Sequence, residues 1–215
     1  MEFYLILLPL ILTVLLQIFL ALISKVRYKS IFRYSMPTLK NMSVSDVIKL
    51  YVEEYPLINI EVIPKFKQNI LSGINYILVD SEFLSEKSIW SKLLTLWHLE
   101  FSQISISNKF LLNSPRILFG LFMIQIALIF AVFFVDNNFY YVLFLCSSVL
   151  SIITLIILFF AIKSYKNFVL RVLFVSSSIF EMDELEETRA KIILDKINYQ
   201  WLEYPFELII RLSKY

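Results

Sequence analysis

The chain has 215 residues, 59% of them hydrophobic, and a mean hydropathy of +0.73, which is too apolar for an ordinary soluble domain. A net charge of +2 gives no ground for nucleic-acid binding. One cysteine, Cys146, excludes an internal disulfide and any cysteine-cluster metal site, and one histidine, His98, excludes every motif that needs two.

Residues 3–23, FYLILLPLILTVLLQIFLALI, carry no charge and are long enough to cross about 30 Å of hydrocarbon. Basic residues follow this stretch instead of preceding it, in SKVRYKSIFR, and no small-residue cleavage site comes after it. It therefore reads as a retained span and not as a signal peptide. Pro9 sits near its start, where a missing donor costs little.

The segment 24–116 is long enough to fold. Ser43-Val44-Ser45-Asp46 reads as a capping box ahead of VIKLYVEEY, in which Val47, Leu50 and Tyr51 share a face, and Pro56 stops that helix. INIEVI (58–63) and NYILVD (75–80) alternate like strands, with residues 64–73 between them reading as a loop that holds Pro64 and Gly73. A helix is expected from about Ser85 to Ser107, with an apolar face of Ile89, Leu93, Leu96, Trp97 and Phe101.

Residues 117–135 and 139–162 form a second and a third span, joined by Asp136-Asn137-Asn138 as a tight helical hairpin. Tyr140 and Tyr141 suit the interface beside that turn. All 20 Lys and Arg lie in two regions, 12 in residues 24–116 and 8 in residues 163–215. The opposite side has only Glu2 and Asp136. This bias places the N-terminus outside, with the central segment and the C-terminal tail in the cytoplasm. Gln17 and Gln125, polar residues inside spans, are expected to hydrogen-bond between helices.

In the tail, the acidic run Glu181 to Glu187 reads as a solvated helix start, followed by basic residues as the helix dipole prefers. Tyr199, Trp201, Tyr204 and Phe206, together with Leu208, Ile209 and Ile210, suggest a helix lying on the cytoplasmic membrane face. Pro205 and two glutamates argue against a fourth span.

VDSEFLSEKSIWSKLLTLWHLEF and SIFEMDELEETRAKIILDKINY, in this order around a hairpin, resemble the YugP-type neutral zinc metallopeptidases, a bacterial membrane family. The likeness of layout runs over nearly the whole chain: an N-terminal span, then helix, two strands and helix, then a hairpin and a charged helix. The resemblance implies a zincin-like cytoplasmic segment whose last helix carries HExxH. It also implies a third zinc ligand just after the hairpin.

This chain departs from that pattern at the chemistry. HExxH falls on Trp97-His98-Leu99-Glu100-Phe101, so both zinc histidines become aromatic and the general base becomes His98. The third-ligand position falls on Lys163 or Ser164, and no Asp or Glu occurs between Asp136 and Glu181. HExxH works because residues i and i+4 share a helix face, where two imidazoles grip zinc and the glutamate reaches its water. The i+4 and i−4 neighbours of His98 are Ser102 and Leu94, and Glu100 points elsewhere. A serine or cysteine nucleophile would also have to use His98 as its base, and Cys146 is far from it in the third span. Trp97 and Phe101 could instead fill a former metal cleft with packed apolar surface.

These residues describe a mainly α membrane protein: three transmembrane helices, a small α+β zincin-like cytoplasmic segment and a C-terminal helical tail. The degenerate motif implies an inactive peptidase homologue with no catalytic residue and no cofactor, zinc being that of the family it resembles. Its expected partners are membrane lipid and another membrane protein, such as an active paralogue, with INIEVI or NYILVD available for strand addition. Two alternatives stand beside it: an active peptidase with a rebuilt metal site, and a structural membrane protein unrelated to peptidases.

Overall fold

A computed structural model describes residues 3–28, 42–55, 59–63, 70–73, 76–134, 136 and 139–212. The expected stop at Pro56, residues 64–69 of the expected loop and the hairpin residues Asn137 and Asn138 lie outside them. So do the side chains of the tail aromatics from Tyr199 onward. The protein is mainly helical, with one small sheet. The elements are α1 (Phe3–Tyr28), α2 (Val44–Glu54), β1 (Asn59–Ile63), β2 (Ile70–Gly73), β3 (Tyr76–Asp80), α3 (Ile89–Ser107), α4 (Lys109–Ala131), α5 (Tyr140–Phe180) and α6 (Glu184–Leu212).

Local chemistry fixes most of the ends. Ser43 caps α2 through the expected box: its hydroxyl accepts from Asp46 N at 3.3 Å, and its own N donates to Asp46 Oδ2 at 2.8 Å. The bond from Ser43 N, with one from the Ser43 hydroxyl to the same oxygen at 2.7 Å, holds the Asp46 carboxyl below its usual range. Ser88 caps α3 by accepting from Ser91 N at 3.1 Å. The helix expected from about Ser85 therefore starts at Ile89, after a short turn at Phe83–Ser85. Asn108 Oδ1 accepts from Leu111 N at 3.1 Å, and Asp183 Oδ1 accepts from Glu186 N at 2.7 Å. Between α5 and α6, Glu181 takes a left-handed conformation (φ 47°), and Met182 N reaches back to Ser177 O at 3.4 Å, a closure that helix ends favour.

Among the described residues two helices are long and apolar enough to cross a membrane, Asn113–Phe134 and Tyr140–Phe180, and a shorter apolar stretch runs from Leu7 to Leu20. The expected third span, 139–162, falls in the first part of α5, whose helix continues unbroken to Phe180, 41 residues in all.

The chain divides into two compact units. One holds Met1–Tyr28, Asn113–Ser164 and Tyr199–Tyr215; the other holds Lys29–Leu112 and Tyr165–Asn198. In the first unit a polar seam joins α1, α4 and α5. Gln17 Nε2 donates to Gln125 Oε1 at 3.1 Å, and Gln125 Nε2 donates to Thr154 Oγ1 at 3.0 Å and to Thr13 Oγ1 at 3.4 Å. Thr13 and Ser151 hydroxyls lie 3.3 Å apart. All five side chains are buried, and hydrogen bonding among them removes the cost of placing polar groups in an apolar bundle.

The second unit contains the sheet, in the order β1-β3-β2. β3 lies in the centre, parallel to β1 and antiparallel to β2. Residues 64–73, expected to be a loop throughout, therefore include a strand at Ile70–Gly73. Strand addition to NYILVD is excluded, since β3 is paired on both sides; β1 and β2 are the edges. α3 is the central helix, with Leu93, Leu96 and Leu99 fully buried. The acidic start of α6 is only partly solvated: Glu184 is exposed, but Glu186 is buried beside Ala190, Ile193 and Leu194 of the same helix.

Candidate functional site

The stretch 97–101 of α3 lies in the second unit, against the later part of α5. The Trp97 and Phe101 rings stack, with centroids 5.0 Å apart and planes 8° apart, as their i, i+4 spacing on one helix face allows. Phe168 of α5 closes on both edgewise, at 5.3 Å from Trp97 and 5.9 Å from Phe101. The three rings form one apolar plug, with Phe101 and Phe168 buried and Trp97 half-buried. Leu99 is buried on another side of α3.

These side chains do not fit a zinc ion. A phenyl ring offers no lone pair, and the indole Nε1–H of Trp97 is a donor only; it is buried without a hydrogen-bond partner among the described residues. Lys163 is exposed and Ser164 half-buried on α5, and neither an ammonium nor a lone hydroxyl replaces a carboxylate ligand. Phe168 and Arg171 of α5 lie against the 97–101 stretch. Among the described residues no group of three or more His, Cys, Asp or Glu side chains gathers as a metal site.

His98 turns to the sheet. Its Nδ1 and the Ser72 hydroxyl share a hydrogen bond of 2.8 Å, which ties α3 to the edge strand β2. Desolvation lowers the imidazole to about 4, so it is neutral near pH 7. A serine beside a neutral imidazole has the parts of a nucleophile–base pair, but among the described residues no carboxylate orients the ring, and Glu100 is committed elsewhere. The i+4 neighbour Ser102 donates to Tyr76 O at 3.4 Å, a second tie from α3 to the sheet.

Glu100 is the residue whose role the motif comparison did not foresee. Its carboxylate is fully buried. Oε1 accepts from the Tyr51 hydroxyl at 2.7 Å, and Oε2 accepts from Arg171 Nε at 2.9 Å. Three elements, α2, α3 and α5, thus meet at one charge. Burial, reinforced by the adjacent carboxylate, raises the Tyr51 hydroxyl well above its usual range and keeps it a donor. The sequence signal was available: Glu100 sits between the apolar Leu99 and Phe101, and the only basic residue in FVLRVLF is Arg171. Their separation of 71 residues hid the pairing.

A second tie follows from Pro115. Proline has no N–H, so the helical donor to the carbonyl four residues back is missing. That carbonyl is Leu111 O, and the Tyr165 hydroxyl donates to it at 3.1 Å. Tyr165, Phe168 and Arg171 thus touch α4 or α3 at successive turns of α5. Neither a family model, nor a characterised protein, nor a solved structure matches the chain.

Proposed function

We propose that the chain is a three-span membrane protein that binds another membrane protein and performs no peptidase chemistry, in the manner of a zinc metallopeptidase homologue with a filled metal position. Its N-terminus faces outward, and the sheet-bearing segment and the tail face the cytoplasm. The resemblance supplies the family, and the distribution of Lys and Arg supplies the orientation.

The observation that carries the reading is the aromatic plug. At the two positions where a zincin helix presents imidazoles, Trp97 and Phe101 stack on each other under Phe168. The acidic residue within the same turn, Glu100, is spent on Tyr51 and Arg171. Nothing in this arrangement activates water; everything in it fastens α3 to its neighbours.

The test is elemental mass spectrometry of the purified, detergent-solubilised protein, together with a peptide-hydrolysis assay. Absence of zinc and of hydrolysis is the expected result. About one zinc per chain, lost on His98→Ala, would overturn the proposal and require a rebuilt metal site.

A further inference from the structure

We infer that the solvent-facing side of α5 between Lys166 and Phe174 is the docking surface, and that it takes an acidic, amphipathic helix of a partner membrane protein. The inference rests on the binding role proposed above and names the partner's chemistry.

In the second unit α5 is sharply two-faced. Tyr165, Phe168, Val169, Val172, Leu173, Val175 and Ser176 are buried. The opposite arc carries Lys166, Asn167, Leu170, Arg171 and Phe174, all exposed. Leu170 is 52% and Phe174 75% exposed, large apolar groups lying beyond the point where the uncharged stretch of α5 ends at Ile162. Lys166, Leu170 and Phe174 follow an i, i+4, i+8 row, and Asn167 and Arg171 form the adjacent row. Rows of this spacing are the ridges that pack into the groove of another helix. A helical occupant therefore fits better than an extended peptide.

Charge sets the occupant's sign. No Asp or Glu occurs in residues 137–180, so both ionic groups on this face are cations. Arg171 is unlike an ordinary surface arginine, because the buried Glu100 carboxylate holds its Nε at 2.9 Å. The guanidinium is fixed in direction while its side chain remains 53% exposed, leaving its terminal amino groups as a preset fork for a second carboxylate. An Asp or Glu on the partner, flanked by apolar residues one turn away on either side, would meet Arg171 or Lys166 while covering Leu170 and Phe174. A phospholipid offers the cations a phosphate and the apolar side chains its acyl tails, so the identity of the crosslinked species decides between it and a partner helix.

The experiment places a photo-crosslinking amino acid at Phe174, and separately at Leu170, in the full-length protein in its native membranes. The expected adduct is with a different membrane protein, mapped to a helix bearing Asp or Glu next to one of its own apolar spans. Lys166→Glu should lower the yield by about tenfold or more, as like charges set against each other across an interface do. Exchanging the partner's mapped acid for Lys should restore it. Lys166 is exposed and has no ionic partner among the described residues, so this variant leaves the fold intact. Adducts with phospholipid or with a second copy of the chain, a crosslink that ignores the Lys166 charge, or no adduct would each overturn the inference. These results are independent of the zinc measurement, which tests the parent reading alone.

Discussion

The junction of Tyr51, Glu100 and Arg171 makes an ordered prediction about stability. Arg171→Met keeps an unbranched stem and removes the charge opposite a carboxylate that is fully buried. Removing one partner of a buried pair costs about 3–5 kcal/mol. Because the Arg171 side chain is 53% exposed, water reaches that side of the pair, and the expected loss falls to about 2 kcal/mol. Tyr51→Phe removes the other bond to the same carboxylate and should cost about 1.5–3 kcal/mol, the range for hydrogen bonds to charged groups. The triple variant Tyr51→Phe, Glu100→Leu, Arg171→Met removes every polar member and should recover to within about 1 kcal/mol of the wild type. The assay is pulse proteolysis in detergent micelles across a urea series, reading cleavage between α2 and α3. A single melting temperature would blend two units and is unsuitable. Arg171→Met unfolding at the wild-type urea concentration, or the triple variant proving weaker than either single change, would refute the idea that one buried charge fastens the three helices.

Other outcomes follow from the same packing. Gln125→Leu removes bonds to Gln17, Thr154 and Thr13 and should cost about 1–2 kcal/mol, read as a lower SDS midpoint for loss of helical structure. Installing histidine at 97 and 101 and glutamate at 98 breaks four ring pairs, worth about 0.5–1.5 kcal/mol each for the aromatic ones, and should lower stability without creating tight zinc binding, as equilibrium dialysis would show. His98 is neutral in the folded protein down to about 4, whereas the unfolded chain binds a proton near its ordinary value of 6.5. Folded stability should therefore decline as pH falls from about 6.5 to 4, by up to about 3 kcal/mol, and His98→Asn should flatten that limb of the pH–stability curve. Tyr165→Phe takes a donor from the carbonyl left by Pro115 and should cost about 1 kcal/mol, measured as faster amide exchange at the start of α4.

Local signals in the chain were readable where the chemistry is local. The Ser43–Asp46 box, the long apolar helices and the interhelical bonding of Gln17 and Gln125 needed only spacing and composition, though not the pairing of the two glutamines with each other. β2 was missed because four residues bounded by Gly73 show too little alternation to mark a strand, and its pairing with β3 supplies the order instead. β3 looked like an available edge because sequence order does not state sheet order. Glu186 looked solvated because a run of acids on a helix start usually is, yet one turn of α6 faces inward. The role of Glu100 was hidden for a different reason. Its partners come from α2 and α5, and a buried carboxylate becomes intelligible only when the charge from the far segment is beside it.

The second unit is assembled from two stretches of chain with the hairpin between them, and this imposes an order on biogenesis. Glu100 leaves the ribosome 71 residues before Arg171, an interval on the order of 4–14 s at about 5–20 residues per second. During that interval the apolar stretch between them is made while α3 waits with a carboxylate and two aromatic rings uncovered. Phe168 and Arg171 arrive together on the first turns that follow, covering the rings and neutralising the acid in one step. A chain that stops short of Phe168 would keep α3 open, displaying to chaperones and proteases the surface by which an incomplete copy can be recognised.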